Sequence, residues 1–431
     1  MALTGRTALL AALGALIVGL AVPSWWGLLA VQGAVLLGIG IDLALAARVR
    51  GLRLQRSGDT SVRLGGQAEV ALVVHNTGRR TLYGVLRDAW PPSAGASTTR
   101  YRLGIPPGER RRFTVLLRPT RRGDRRAHRV TVRSVGPLGL AARQGSHELP
   151  WTVRALPPFT SRRHLPSRLA RLRELDGRTS TLVRGQGTEF DSLREYVIGD
   201  DVRSIDWRAT ARASEVMVRT WRPERDRHVL LVLDSGRTSA GRVGDAPRLD
   251  AAMDAALLLG ALASRAGDRV DLLVFDRTVR ASVTGAAQSD LLAAMAHAMA
   301  PIEPELIETD VRGMVAAVLN RVSRRCLVVL FTGLDAAAVE QGLLPGLPAL
   351  SRRHKVMVAA VDDPLVAAMA GGRGDSSAVY DAAAAERARA GRRHTAQLLG
   401  RRGVTVIDAT PEHLAPAVAD AYLALKVTGQ L

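Results

Sequence analysis

HVLLVLD, residues 228–234, is an apolar run of strand length that closes on a carboxylate. A strand with no polar alternation is buried on both faces, as in a parallel sheet flanked by helices. The sequence downstream repeats this unit. RVDLLVF (269–275), CLVVLF (326–331), KVMVAAV (355–361) and GVTVID (403–408) share its character. Between them lie stretches of helical apolar spacing at 248–266, 286–299, 310–322, 336–351, 381–399 and 412–425. Strands alternating with helices predict a parallel sheet covered on both faces over residues 225–431. Ligands of such sheets bind at the carboxyl ends of the strands, which places Asp234, Asp276, Thr332 and Asp362 on the functional edge.

Directly upstream, the connector 159–224 contains GTEFDSLREYVIGDDVRSIDWRATAR (187–212). Arginines alternate with carboxylates, and Phe190, Tyr196 and Trp207 are interleaved. Arginine pairs bidentately with carboxylates and stacks on aromatic rings, so the mixture predicts a polar network packed against another domain. Residues 57–158 read as all-β. EVALVVH (69–75), RRFTVLLRP (111–119), RVTVRSV (129–135) and WTVRAL (151–156) are separated by turn signals such as Pro106-Pro107-Gly108. That spacing predicts a small β-sandwich, read as a spacer.

Residues 1–56 hold two apolar runs, about 7–25 and 27–47, joined near Trp25 and Trp26. A spanning helix needs roughly 20 apolar residues. Arg6 precedes the first run, Arg48, Arg50, Arg53 and Arg56 follow the second, and the loop between is uncharged. The positive-inside rule then predicts a two-helix transmembrane hairpin, multi-pass in the cell membrane, with both ends and the soluble domains cytoplasmic. A cleaved signal peptide is the competing reading, disfavoured by the second span directly behind the first. Asp42 lies inside the second span and is expected to snorkel or to pair with Arg48.

The formal charge is +20 and the sequence pI about 11.4. Lys355 and Lys426 are the only lysines, so 58 of the 60 basic residues are arginine. They run along the whole chain with no aromatic-plus-basic platform, which argues for an anionic inner-leaflet surface over nucleic acid as their partner. Cys326 is the single cysteine, which excludes an intramolecular disulfide and a thiolate zinc site, and its apolar setting predicts a buried inert thiol. No phosphate-binding Gly-rich loop ending in Lys-Ser or Lys-Thr occurs, so the chain is not a P-loop ATPase.

The signature residues Gly187, Glu189, Phe190, Arg194, Tyr196, Gly199, Asp200, Arg203, Ile205, Asp206, Trp207, Ala209, Ala211 and Arg212 follow a pattern that resembles the family known as domain of unknown function 58. The resemblance implies an α/β von Willebrand factor A-like domain with a Rossmann-type parallel sheet, a β-rich domain and a membrane anchor. It also implies a MoxR-type AAA+ ATPase as partner. The A-type fold usually carries a metal-ion-dependent adhesion site for Mg²⁺, with Mn²⁺ as substitute. Onto it map Asp234, Thr238 in place of a serine, Thr309, and Asp335 where Gly333 replaces the usual aspartate. Gly236 replaces a further serine ligand.

The expected function is a non-enzymatic membrane-anchored scaffold that binds a protein partner, with no catalytic residue, in envelope protein assembly or remodelling. The signature residues Glu189, Phe190, Arg194, Tyr196, Gly199, Asp200, Arg203, Asp206, Trp207 and Arg212 are expected to serve partner binding. The alternatives are an anionic-lipid or nucleic-acid binder, or a phosphoester hydrolase using Asp234. A hydrolase of that kind needs a second carboxylate two residues on, where Gly236 stands.

Overall fold

The computed structural model describes residues 1–21, 23–182, 189–213, 215–222 and 227–431, with the side chains of 21, 176–182, 189–191 and 220–222 left aside. The chain is mixed α/β with several sheets, and it divides into two compact units, Met1–Pro158 and Phe159–Leu431.

The first unit opens with two apolar helices, α1 (Gly5–Ala21) and α2 (Trp25–Leu45). Among the described residues, only α2 is long and apolar enough to cross a membrane. Both start and stop earlier than the hydropathy runs. Ser24 caps α2 by accepting from the Trp26 amide at 3.2 Å. Ala46 leaves the helix with extended backbone, and Ala47 is buried in a core with Val49, Leu52, Leu72 and Val74. The helices meet closely at Gly14, where a Cβ would stand 2.3 Å from Val31 Cγ1.

Two sheets follow. Arg53–Gly58, Ala68–His75 and Arg110–Leu117 form an antiparallel three-stranded sheet. Ala2–Leu3, Ala141–Leu156, Gly123–Val135, Leu82–Asp88 and Arg100–Ile105 form the second, with Ser61–Arg63 added alongside. Alternation appears where one face is covered: in Arg110–Leu117, Phe113, Val115 and Leu117 are buried while Arg112, Thr114 and Leu116 stay out. The sheets share a core of Leu72, Val74, Leu82, Leu86, Ile105 and Val132. A buried ion pair also joins them: Arg56 on the first donates to both oxygens of Asp88 on the second, at 3.1 and 2.5 Å. The strands at 82–88 and 100–105 escape the sequence reading because Gly84 and three arginines blur their pattern. Gly84 has φ +149°, and a Cβ there would fall 1.9 Å from the Arg133 carbonyl oxygen.

Asp42 differs from expectation. It is fully buried and does not reach Arg48 or water. It accepts from the backbone amides of Leu138, Leu140 and Ala141 at 2.7, 2.5 and 2.9 Å, so the end of α2 is fastened to the turn between the two longest strands. Desolvating a carboxylate is costly without such donors, and three amides supply them.

The second unit holds a six-stranded sheet in the order Val279–Val283, Arg269–Phe275, His228–Asp234, Leu327–Phe331, Lys355–Val361, Thr405–Ala409. Five strands are parallel, and the edge strand Val279–Val283 is antiparallel. The sequence reading missed that edge strand, since VRASV is short and half exposed. Helix Arg248–Arg265 is buried along most of its length, and Pro411–Val427 is the other well-buried helix. The predicted helix over 336–351 is interrupted by a π-turn at Val339–Leu343 before Leu344–Ser351. The order in which successive strands are added reverses between His228–Asp234 and Leu327–Phe331, the switch point where such sheets open a crevice.

Candidate functional site

Asp234 ends the central strand at that switch point and is 4% exposed. Its Oδ1 accepts from the Gly236 amide at 2.8 Å and the Thr309 hydroxyl at 2.5 Å. Its Oδ2 accepts from the Thr238 and Thr332 hydroxyls at 2.9 and 2.7 Å. Three loops thus converge on one carboxylate: 235–239 after the first strand, 305–310 ahead of helix Val311–Arg321, and 332–335 after the strand Leu327–Phe331.

Gly236 is dictated by space. A Cβ there would lie 2.1 Å from Thr309 Oγ1 and 2.9 Å from the Ile307 carbonyl oxygen, so no serine side chain fits where the resembled pattern has one. Ser235 turns away from the ring, donating to Asp276 Oδ2 at 3.2 Å. Asp276 also accepts from the Arg277 and Thr278 amides and from Arg280. Burial pushes its carboxyl up, and those donors more than reverse the effect, leaving it below the usual carboxylate range.

Thr238 and Thr309 therefore sit where the reading put them, against Asp234. Thr332 joins the ring, although the reading had placed it only on the edge. Its signal was present: it is the first polar residue after a buried strand neighbouring Asp234. Asp335 lies apart, exposed, and among the described residues its carboxylate accepts no hydrogen bond. Its Oδ2 stands 2.7 Å from where a Cβ on Gly333 would be, so its carboxylate takes the space of the absent side chain there. Asp362 is outside the ring, 3.6 Å from Arg392, which also holds Asp408. Arg237 pairs with Glu308 at 2.6 Å and not with Asp234. Among the described residues, no three His, Cys, Asp or Glu side chains gather to hold a metal, and no second carboxylate touches Asp234.

The signature forms its own hairpin. Glu189–Glu195 pairs antiparallel with Met217–Arg222, with a bulge after Phe190. Gly187 and the side chains of Glu189 and Phe190 lie outside the described residues. Arg194 donates to Asp200 at 2.5 Å, and Asp200 also accepts from the Val197 amide at 2.9 Å. The Arg194 guanidinium holds Asp200 below the usual carboxylate range. Gly199, at φ +112°, makes the turn that allows this. Asp206 caps the short helix Trp207–Thr210 through the Arg208 and Ala209 amides and takes Arg219 at 2.7 Å. Arg219 lies beyond the quoted stretch and was missed.

Among the described side chains, the expected packing of aromatics and arginines against another domain does not form. Ile198 is 97% and Trp207 70% exposed, Tyr196 is exposed at the end of its strand, and Arg203, Arg208 and Arg212 face solvent. The carboxylates satisfy the hairpin's own backbone and two arginines, because short-range donors cost less ordering than a distant surface.

Elsewhere in this unit the connector is tied down. Thr160 and Ser161 donate to Asp254 on the buried helix, at 2.9 and 3.0 Å, and Arg168 forks onto Asp420 at 3.2 and 2.9 Å. Cys326 is buried against His354 at 3.3 Å, and burial pushes its thiol up to about 12, so it is chemically quiet.

These features define a class: an α/β domain with a hydroxyl-ringed carboxylate at its switch point, preceded by a signature hairpin. Residues 192–398 match the model of the family described as protein of unknown function DUF58. The uncharacterized protein Rv1480 of Mycobacterium tuberculosis (strain ATCC 25618 / H37Rv) is 28% identical over 185 residues, 42% of this chain. The match spans 57% of that relative's length. The uncharacterized protein YeaD of Bacillus subtilis (strain 168) is 26% identical over 113 residues, 26% of this chain and 28% of that protein. Among solved structures, a CARDB domain from Pyrococcus furiosus is similar at 19% identity over 24% of this chain and 91% of that one, with a TM-score of 0.20, too slight a likeness to carry an argument.

Proposed function

We propose that this protein is a non-enzymatic, membrane-anchored scaffold whose von Willebrand factor A-like domain binds a protein partner at the Asp234 edge. The observation that carries the reading is the ring of three threonine hydroxyls around one buried carboxylate at the switch point. A hydroxyl is both donor and acceptor, so each can turn from Asp234 toward an incoming cation without moving the backbone. All the donors are hard oxygens, which suits Mg²⁺, with Mn²⁺ as substitute. Thr238, Thr309 and Asp234 would hold it, with Asp335 near the rim. A bound Mg²⁺ would present a positive centre to an acidic group. With one carboxylate in the ring, the protein supplies little charge of its own. An acidic side chain from the partner would complete the shell, which makes metal and partner binding mutually reinforcing.

The two apolar helices are the anchor in this reading, a transmembrane hairpin with the soluble units on the cytoplasmic side, as the arginines flanking it favour. By resemblance the partner is a MoxR-type AAA+ ATPase, and the signature hairpin, with Ile198 and Trp207 uncovered, offers a second contact. Affinity purification of the full-length protein from its native membranes tests this. Wild type, Asp234→Ala and Asp206→Ala would be compared by mass spectrometry of what co-purifies. An AAA+ ATPase enriched with wild type and lost with Asp234→Ala supports the reading. Loss with Asp206→Ala alone moves the contact to the hairpin. No protein enriched in any sample sinks the scaffold.

A further inference from the structure

The positive charge of this chain is not evenly shared between its units. Residues 1–158 contain 23 arginines and 7 acidic residues, a net +16 of the +20 total. Of those seven, Asp42 is spent on backbone amides, Asp88 on Arg56 and Asp124 on Arg154. The even spread seen along the sequence hides this, because acidic residues are what the first unit lacks.

Part of that excess is gathered where α2 ends. Arg143 donates to the Leu43 carbonyl at 2.7 Å, and Arg80 donates to that of Ala44, so both guanidinium groups cap the last turn. Arg48 and Arg50 follow in the chain and are exposed. The loop bearing Arg79 and Arg80 is tied to this segment by Thr77, whose hydroxyl donates to the Gly51 carbonyl. The Arg6 guanidinium reaches within 2.8 Å of where a Cβ on Gly139 would stand. Among the described residues, none of Arg6, Arg48, Arg50, Arg79 or Arg80 pairs with a carboxylate. The turn at 136–141 lies along the final turns of α2, with Leu140 Cδ1 2.8 Å from a Gly38 Cβ position, and Leu138 at its tip is 49% exposed. The Asp42 bonds leave no flexible linker between helix and sheets.

We propose that this arginine collar and the Leu138 turn form a seat for anionic phospholipid headgroups of the bilayer that holds α2, which makes the β unit a membrane-contact module and not a spacer. The proposal rests on the anchoring reading above. Charge complementarity selects the occupant: guanidinium groups fork onto phosphates, and juxtamembrane arginines gain from an anionic leaflet. The apolar tip beside them matches the boundary between headgroup and acyl chain.

The test uses the full-length protein in vesicles of phosphatidylglycerol and phosphatidylcholine, extracted mildly, with retained lipid counted by native mass spectrometry. The expected result is phosphatidylglycerol enrichment on wild type that falls about tenfold or more in Arg48→Gln/Arg50→Gln/Arg79→Gln. Among the described residues these three make no side-chain hydrogen bond, so folding is spared, and thermal unfolding checks it. A control, Arg387→Gln/Arg401→Gln/Arg402→Gln, removes the same charge from the second unit and should keep the enrichment. Enrichment retained by the collar variant, or lost equally by the control, overturns the seat. Alkaline carbonate extraction separates the two readings: release of wild type overturns the anchoring and the seat together, whereas retention without lipid preference overturns the seat alone.

Discussion

Asp42 and Asp234 are both buried aspartates with both oxygens engaged, yet their surroundings differ in kind. Asp42 is held by three backbone amides, and Asp234 by one amide and three hydroxyls. An amide only donates and cannot turn, so the Asp42 shell stabilises an anion and nothing else. A hydroxyl can reverse its role, so the Asp234 shell can be rebuilt around a cation. One carboxylate is a fastener, the other an adaptable site. The distinction lies in the donor type and not in burial.

The most severe way to break this comparison is Asp42→Asn. An amide turns an NH₂ toward one or more of the Leu138, Leu140 and Ala141 amides, and losing charge-assisted bonds there should cost about 3 kcal/mol or more. Thermal unfolding of the detergent-solubilised protein, and faster tryptic cleavage at Arg48 and Arg50, would register it. Unchanged cleavage would mean that the carboxylate does not hold the turn. Gly136→Ala attacks the same fastener from the other side. Its Cβ would come 2.4 Å from Asp42 Oδ1 and 2.6 Å from its Cα, and overpacking of that kind costs about 1–3 kcal/mol. Stability equal to wild type would show that the turn can retreat.

Adding millimolar Mg²⁺ sharpens the contrast. Wild type should gain about 1.4 kcal/mol at a tenfold excess over the dissociation constant, read as a raised melting temperature, and Asp234→Ala should gain nothing. The same gain in both proteins would detach the ion from Asp234. Thr332→Val keeps the shape of the ring and removes one donor, so it should cost about 1 kcal/mol and weaken the Mg²⁺ response. A full response would leave Thr332 a structural residue only.

The smallest effect concerns pH. The Arg154 guanidinium, bonded to Asp124 at 2.7 Å, holds that carboxyl below the usual carboxylate range. A depressed folded value contributes stability that is complete above about pH 4 and is lost as pH falls through the folded value. Arg154→Met should remove a few tenths of a kcal/mol at neutral pH and flatten the acid limb of the stability curve. An unchanged acid limb would assign that slope to other carboxylates, Asp276 first.

How far the site was legible follows the same division. Asp234, Thr238 and Thr309 could be found because an apolar strand announces its end and a resembled pattern names the next positions. Thr332 was visible as a polar residue at a neighbouring strand end, but its ring membership depends on the lateral pairing of two strands 98 residues apart. Asp42 was misread because its partners are backbone amides, which every residue but proline carries and no sequence pattern marks. The signature hairpin was misread for a related reason. Its charges find one another within the hairpin, and Arg219 joins Asp206 only because the two strands return side by side.

By itself the sequence determined the apolar helix able to cross a membrane, the β-rich first half, the parallel sheet and the strand ends that form its edge. Each follows from local periodicity and strand length, which neighbouring residues encode. Tertiary structure alone decided which hydroxyls surround Asp234, that Gly236 must lack a side chain, that Asp42 fastens α2 to a turn, and that arginines from distant segments collar the helix end. Those depend on which segments approach, and close approach is set by packing of the whole unit, which no single stretch of sequence contains.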